Sequence, residues 1–104
     1  MNFIKIPFDR GIYMVQAEEI IRVEGLSNYS KIFFSAGKPV IVAKVLHWFE
    51  DRLPVQMFAR VHRSHLVNKI FMHEINGTHF SNLLLKNGDN IPISRRKKLL
   101  LKAG

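Results

Sequence analysis

Two Asn-Gly pairs interrupt the apolar runs in the last third of the chain, at Asn76-Gly77 and Asn87-Gly88. An Asn-Gly pair between apolar runs is the strongest short signal of a β-hairpin, because a type I′ turn requires positive φ at both central residues. The pairs therefore predict a three-stranded antiparallel meander over residues 70–75, 78–86 and 90–93. No βαβ alternation of strands and helices appears, which favours antiparallel β architectures.

Turn signals also divide the first half of the chain into short strands. Asp9-Arg10-Gly11 separates apolar segments at 3–8 and 12–17, and the first of these alternates with the period of a half-buried strand. Further strands are predicted over residues 19–24, 29–35 and 39–42. A loop is expected at 25–28, between two of these strands.

The sequence predicts two helices. A stripe of apolar residues at i, i+3, i+4, i+7 and i+11 predicts a helix near residues 43–53, which Pro54 ends. The stripe consists of Val42, Val45, Leu46, Phe49 and Leu53. Ser94 can cap a second, short C-terminal helix through Lys102. The predicted fold is therefore mostly β, with small antiparallel sheets, hairpins, one helix near 43–53 and a short C-terminal helix.

The length and composition of the chain limit its class. Its 104 residues are enough for one domain with one hydrophobic core, so we expect a single domain over residues 1–104. The chain contains no cysteine, which excludes disulfide frameworks and thiolate metal sites. No apolar run approaches the ~20 residues of a membrane span, and the N-terminus lacks the layout of a signal peptide. We therefore expect a cytoplasmic protein without a membrane partner.

The positive charge of the chain is unevenly distributed, with a formal net charge of +8. Residues 1–53 carry 7 Lys or Arg and 6 Asp or Glu, whereas residues 54–104 carry 9 and 2, so the two halves have net charges of +1 and +7. A basic half beside a neutral half points to an acidic partner such as nucleic acid, an anionic membrane or an acidic protein. Basic character that serves only solubility is the alternative explanation.

The stretch from residue 58 to residue 68 reads FARVHRSHLVN and mixes cations and hydrogen-bond donors with apolar residues. No carboxylate lies between Asp51 and Glu74, so Arg60 and Arg63 have no counter-ion close in sequence. Such a surface suits a polyanion, because the guanidinium fork fits a phosphate or the edge of a guanine. The alternative is a solvated loop whose polar residues serve only its own structure.

Three blocks of the chain resemble the motifs of the LytTR family, the DNA-binding domains of many bacterial response regulators. The central block is Phe58-x-Arg60-x-His62-Arg63-Ser64-x-x-Val67-Asn68. The other two are Val23-Glu24 with Asn28-Tyr29, and Asn87-Gly88 with Ile91-Pro92-Ile93-Ser94-Arg95-Arg96. The blocks follow the family's order and cover nearly the whole chain. The resemblance implies small antiparallel sheets and short helices, with loops rather than a recognition helix meeting the DNA.

The resemblance also implies which side chains reach DNA. In LytTR domains these come from the loop after the first motif, from the His-Arg-Ser segment and from the C-terminal Ser-Arg segment. The matching positions are Ser30, Arg63 and Arg95. Asparagine can bind adenine bidentately, and lysine can reach a phosphate. The neighbours expected to contribute are Asn28, Lys31, Ser64 and Arg96.

Four cations, Arg95 to Lys98, directly follow Ser94. In the first turn of a helix they would oppose the macrodipole, which favours anions at that end. The arrangement becomes favourable when a phosphate docks, because the N–H groups, the dipole and the cations then act together. We therefore expect Arg95, Arg96 and Lys97 to contact DNA. The alternative is a solvated basic face or a membrane-surface segment.

His62 and His65 stand at i and i+3, a spacing that can hold a metal ion. A complete site would need distant ligands, because there is no cysteine and the nearest acids are Asp51 and Glu74. A metal-free nuclease built on His62 and Arg63 would lack a third, orienting group. We therefore expect no cofactor, no metal and no enzymatic activity, and we expect His62 to hold the loop by a backbone hydrogen bond.

These observations predict a sequence-specific, double-stranded DNA-binding domain that regulates bacterial transcription, as the output domain of a two-component response regulator. The resemblance implies that such domains follow a receiver domain and bind direct repeats in promoter DNA as homodimers. No receiver-like sequence is present, so we expect an excised domain or a stand-alone regulator, with any receiver outside this chain. The alternative from another class is a basic, non-catalytic adaptor that binds anionic lipid or an acidic protein.

Overall fold

The computed structural model describes residues 2–95; residue 1 and residues 96–104 lie outside this description. The described residues form short β-strands and an α-helix, joined by turns of which three are 3-10 helices. The strands are β1 (Phe3–Phe8), β2 (Gly11–Gln16), β3 (Ile20–Leu26), β4 (Tyr29–Phe34), β5 (Val40–Val42), β6 (Phe58–His62), β7 (His65–Asn68), β8 (Met72–Asn76), β9 (Asn82–Leu85) and β10 (Asn90–Pro92). The helix is α1 (Leu46–Arg52). The predicted C-terminal helix falls largely outside the described residues and stays a prediction.

The strands form three antiparallel sheets. The central sheet has five strands in the order β5-β4-β3-β7-β6. Strands β1 and β2 form a separate hairpin, and β8, β9 and β10 form the predicted meander, in the order β10-β9-β8. The mostly β, antiparallel fold class predicted from the sequence is therefore confirmed.

Each face of the central sheet packs against a different partner. On one face, Val23 and Leu66 pack with Leu46 and Phe49 of α1 and with the β1–β2 hairpin. On the other face, Val67 and its neighbours pack against the apolar residues of the meander. This two-sided burial follows from the period-2 alternation of strand side chains. Each fully buried Leu or Phe side chain contributes about 1.5–3 kcal/mol, so the two cores hold the strand ends in fixed positions.

Helix α1 is shorter than the predicted helix. Val42 is buried at the end of β5, and Val45 is the exposed residue that precedes the helix. The apolar stripe is therefore helical only from Leu46 onward, because pairing with β4 keeps the chain extended through Val42. The predicted stop is confirmed, since the helix ends at Arg52, two residues before Pro54.

Both Asn-Gly pairs lie in hairpin connections, but the predicted type I′ turns are wrong. Among the glycines and asparagines of the two pairs, positive φ is confined to Gly77 and Gly88. At the second pair, residues 86–89 connect β9 to β10, and the N–H of Gly88 donates to the carbonyl of Leu85 at 2.9 Å, which closes a turn with Gly88 at positive φ. Positive φ at two successive residues occurs instead at Asp9 and Arg10, between β1 and β2, and at His79 and Phe80, between β8 and β9.

The burial of leucines explains the longer connection at the first Asn-Gly pair. In the observed register Asn76 pairs with Asn82 and Ile75 pairs with Leu83, which is 2% exposed. A two-residue turn would have paired Ile75 with Thr78 and displaced Leu83 from that partner. Because strand register decides which residues reach the core, packing overrides the local turn preference here.

Candidate nucleic-acid interface

Two turns of the central sheet lie side by side at one end of it. Strand β3 is antiparallel to both β4 and β7, and Glu24 near the end of β3 pairs with His65 at the start of β7. The β3–β4 turn (residues 27 and 28) and the β6–β7 turn (residues 63 and 64) therefore share this end. The N–H of Gly25 donates to the carbonyl of Ser64 at 2.9 Å and fixes the two turns together. We call this region the turn end.

The C-terminal segment also approaches the turn end. The N–H of Ser94 donates to the carbonyl of Val61 at 2.8 Å, one residue before β6 ends at His62. Buried Ile93 anchors the segment in the second core, and Arg95 follows as an exposed residue. The structure thus brings together all three segments that were predicted from separate motifs. Arg96 and Lys97 lie outside the described residues, so their predicted contacts remain predictions.

Arg63 is the exposed cation of the β6–β7 turn. Strands β6 and β7 form a hairpin with a two-residue connection, so the central stretch is mostly strand, and only Arg63 and Ser64 form its turn. The N–H of Ser64 donates to Nδ1 of His62 at 3.0 Å, which confirms the predicted backbone hydrogen bond of that histidine. Within residues 2–95 the Arg63 side chain has no ion-pair partner, so its fork is available to a ligand.

Arg60 has no counter-ion close in sequence, but the structure supplies one from helix α1. Its Nη1 lies 2.8 Å from Oε1 of Glu50, which α1 brings to the edge of β6. The two residues are ten positions apart in sequence, and only the packing of α1 on the sheet makes them neighbours. The positive charge of Arg60 is therefore largely neutralised by Glu50, whereas Arg63 has no such partner among residues 2–95.

Ser30 differs from its predicted position on the surface. It is 0% exposed, and its hydroxyl donates to the carbonyl of Lys44 at 2.7 Å. Its side chain thus connects β4 to the segment between β5 and α1. The signal was present in the sequence, since Ser30 and Ile32 share one face of a strand and Ile32 is an obvious core residue. Asn28, by contrast, is an exposed residue of the turn end, and Lys31 is half-buried.

Two cations that the motifs did not mark, Arg10 and Lys44, lie close to the turn end. Arg10, in the β1–β2 turn, lines a cleft together with Tyr29 and Ala43. The β1–β2 turn therefore lies beside the start of β4. Lys44 follows Ala43, and its ammonium group lies 5.6 Å from the centre of the Trp48 ring. No local motif marks these residues, because their position depends on how the β1–β2 hairpin packs on the central sheet.

A row of polar side chains crosses the sheet just behind the turns. The register pairs Lys31 with Glu24, Glu24 with His65, and His65 with His62, so their side chains share one face. Nδ1 of His65 is buried without a hydrogen-bond partner in the part of the chain that is described. Burial lowers the pKa of His65, and the nearby His62 and Arg22 act in the same direction, against the opposing effect of Glu24. The fold therefore favours a neutral imidazole at this position.

A buried arginine, which sequence reasoning missed, joins the central sheet to the meander. Arg22 is 7% exposed, lies 2.8 Å from Glu24 and 3.0 Å from Asp89, and stacks over the Phe33 ring at 3.7 Å. Partial burial opposes ionisation of Asp89, but hydrogen bonds from Asn87 and Arg22 and the charge of Arg22 together lower its pKa. Arg22 is thus a paired, internal cation that supports the sheet behind the turns.

Two further observations concern metal binding and membrane spans, neither of which the sequence predicted. Among residues 2–95, no group of three or more His, Asp or Glu side chains has an arrangement suited to a metal ion. No helix within the same residues is both long and apolar enough to cross a membrane.

Comparison with known proteins links this geometry to one family. The LytTr DNA-binding domain family matches residues 10–103. The chain is 32% identical over 109 residues to the sensory transduction protein LytT of Bacillus anthracis, covering 96% of this chain and 43% of the relative. It is 30% identical over 100 residues to the transcriptional regulatory protein BtsR of Escherichia coli strain K12, covering 92% and 40%. The chain therefore spans less than half the length of these relatives.

A solved structure supports the same fold. The LytTr DNA-binding domain of a response regulator from Bacillus cereus matches with a TM-score of 0.79, over 99% of this chain and 95% of that chain. The sequences are 23% identical in this match, so it establishes the architecture of the sheets and not the side-chain chemistry. The chemistry of the turn end depends on the residues of this chain itself.

Proposed function

The chain belongs to the LytTR family of DNA-binding domains, and from that premise we propose that it binds double-stranded promoter DNA sequence-specifically and regulates transcription. The proposed activity is binding without catalysis, in the bacterial cytoplasm. The turn end is the proposed contact surface. Its contacts come from the turns at Asn28 and at Arg63-Ser64, and from the C-terminal segment that starts at Arg95.

The observation that carries this proposal is the exposed guanidinium of Arg63 on a two-residue turn, which has no ion-pair partner in the described part of the chain. A phosphate contact requires only a cation within reach, whereas a base contact requires a donor pair held in a fixed direction. The backbone that carries Arg63 is held in place, because both its flanking strands belong to the central sheet and Ser64 is bonded to His62 and Gly25. We therefore assign Arg63 to the edge of a guanine in the major groove.

The remaining residues of the turn end are assigned to positioning on the DNA backbone. Arg95, Arg96 and Lys97 contact phosphates in this proposal, since they form the start of the basic C-terminal segment and residues 54–104 carry a net charge of +7. Asn28 and Ser64 contribute hydrogen bonds, and Lys31 contributes charge. Ser30 supports the β4 segment from inside the protein.

The relatives extend the proposal beyond this chain. The names of two relatives describe sensory transduction and transcriptional regulation, and this chain covers about two fifths of each. We propose that the domain serves as the output domain of a two-component response regulator, with a receiver domain outside this chain. In this proposal two copies bind direct repeats in promoter DNA as a homodimer.

Selection from random duplexes tests this function directly. The purified chain is expected to enrich one motif that contains guanine, and a paired arrangement of that motif if two copies bind together. The same selection with Arg63→Ala should lose the preference at one position of the motif. Retention of all duplexes without enrichment would contradict specific reading. Binding to vesicles of anionic lipid in preference to duplexes would instead support the adaptor alternative.

A further inference from the structure

The side chain of Arg60 reaches the backbone of the β6–β7 turn. Its Nε donates to the carbonyl of His62 at 3.0 Å, and its Nη2 donates to the carbonyl of Arg63. Its Nη1 donates to Oε1 of Glu50 at 2.8 Å. All three nitrogens of one guanidinium are thus engaged, two by the turn and one by helix α1.

The carbonyls that Arg60 binds lie where the strand ladder is irregular. The pairing of β6 with β7 shifts register between Arg60 and His62, and the carbonyl of Val61 accepts a hydrogen bond from the N–H of Ser94 rather than from β7. A shifted ladder leaves backbone groups without strand partners. The guanidinium supplies two donors there in a fixed planar geometry, which a flexible ammonium group cannot reproduce.

Glu50 sets the direction of the Arg60 guanidinium. Helix α1 is fixed on the sheet by buried Leu46 and Phe49, and Glu50 follows Phe49 on the edge facing β6. Oε1 of Glu50 also lies 3.6 Å from Nδ1 of His47, so the carboxylate is shared within the helix. The resulting chain of contacts runs from α1 through Glu50 and Arg60 to the backbone of Arg63.

We propose that Arg60 and Glu50 are positioning residues for DNA reading: they hold the β6–β7 turn so that the Arg63 side chain points at a base edge. This inference rests on the proposed function. A held turn loses little conformational freedom on binding, and a base contact depends on direction more than a phosphate contact does. Removing the clamp should therefore weaken specific binding more than binding to random DNA.

The competing role for Arg60 is a phosphate contact of its own, and charge-neutral substitution of Glu50 separates the two. If Arg60 contacted phosphate, Glu50→Gln would release its charge, strengthen binding to every duplex and steepen the salt dependence. If Arg60 holds the turn, Glu50→Gln should lower the ratio of specific to non-specific affinity. Asp51→Asn is the matched control, because it removes the same charge from the adjacent position of α1 without touching Arg60.

The decisive experiment measures binding to the selected duplex and to a scrambled duplex. We expect Glu50→Gln and Arg60→Lys to lower the ratio of the two affinities about 3- to 10-fold, as for the loss of one hydrogen bond, and Asp51→Asn to leave it unchanged. In an Arg63→Ala background the first two substitutions should have no further effect on the ratio, because they act through Arg63. Equal ratios in all single variants, or additive losses in the double variants, would overturn the inference.

A second measurement examines the clamp without DNA. In NMR spectra of the unbound chain, the Nε–H proton of Arg60 should exchange with water more slowly than that of Arg63, and Glu50→Gln should speed its exchange. Equal exchange of the two protons in the unsubstituted chain would overturn the clamp. If the chain binds no duplex while the Arg60 proton stays protected, the proposed function fails and the clamp remains a feature of the fold.

Discussion

The N–H of Gly25 donates a hydrogen bond to the carbonyl of Ser64 at 2.9 Å. This bond joins the end of β3 to the β6–β7 turn, and so places Asn28 and Arg63 at the same end of the central sheet. The two residues belong to separate motifs that are far apart in the sequence. The two turns therefore form one surface at the turn end.

Arg63→Ala should lose about ten- to hundredfold in affinity for the selected duplex and little for random DNA, since a good guanine contact discriminates by about 1–3 kcal/mol. Arg63→Lys should restore the charge but not the fork, so specificity should stay impaired. A competition assay with specific and scrambled duplexes measures both effects. Arg52→Ala is the matched control, because Arg52 lies beside Phe3 and Lys5 at the start of β1, away from the turn end.

Equal losses of Arg63→Ala on the two duplexes would make Arg63 a phosphate contact. Loss of the folded far-ultraviolet circular dichroism signal would make it a structural residue. We expect the fold to survive, because an exposed arginine in a turn contributes little to stability.

Ser30→Ala should lower the free energy of unfolding by about 1 kcal/mol, because it removes a buried hydrogen bond to the carbonyl of Lys44. Urea denaturation monitored by circular dichroism measures this change. Affinity for DNA should change by less than about threefold where the chain is folded, since the hydroxyl lies inside the protein. A stable variant with strongly reduced affinity would return Ser30 to the set of direct contacts.

His65 should make stability depend on pH near neutrality. Its pKa is lowered from 6.5 in the folded protein, so the unfolded chain binds more protons as the pH falls. Stability associated with this group is therefore fully present above the unfolded pKa and is lost as the pH falls toward the folded pKa. Urea denaturation at about pH 7.5 and about pH 5.5 should show a smaller decrease for His65→Gln than for the unsubstituted chain.

His73→Gln is the matched control for the pH experiment, because His73 is exposed on β8. It should leave the decrease in stability between the two pH values as in the unsubstituted chain. Equal decreases for the His65→Gln and unsubstituted proteins would show that burial of His65 does not control this dependence.

Affinity for DNA should fall steeply with salt, with a log–log slope of roughly −4 to −7 if about 4–8 phosphates are neutralised. Arg96→Ala and Lys97→Ala should each make the slope shallower by about one unit and weaken specific and random duplexes alike. Titration of a duplex of about 30 base pairs across a salt series measures the slope. Lys69→Ala is the control, because Lys69 is exposed just beyond β7, at the end of that strand farthest from the turn end.

A flat salt response of the unsubstituted chain would contradict the proposed DNA contact. A changed sequence preference in Arg96→Ala or Lys97→Ala would mean that the substituted residue reads a base rather than a phosphate.

Local sequence patterns were sufficient to predict where most of the strands lie. β1 and β10 begin where alternation and turn residues predicted, and β4 begins at Tyr29 as expected. The ends of elements were less accurate. Residues 25 and 26 extend β3, since β3 pairs with β4 as far as Leu26 and Tyr29. The sequence could not show this extension, because it depends on hydrogen bonds to another strand.

In the candidate site, too, some features were predictable from the sequence and others depend on tertiary packing. The resemblance implied DNA contacts from Arg63 and Arg95, with Ser64 as a neighbour, and the structure brings the segments that carry these residues together. The motif placed Ser30 among the DNA contacts, although the alternation of β4 puts it on the same face as Ile32. No pattern in the sequence could show that Glu50 neutralises Arg60. Burial depends on what packs against a strand, and an ion pair depends on which elements become neighbours.

The sequence by itself determined the antiparallel β class, the uneven positive charge and the family, because each of these depends on local alternation, composition or motif order. Tertiary structure alone decided the register at the Asn-Gly pairs, the pairing of Arg22 with Asp89 and the contrast between a clamped Arg60 and an available Arg63. Each of these depends on side chains distant in sequence that share a core or a charge, and such pairs form only when the sheets and α1 pack together.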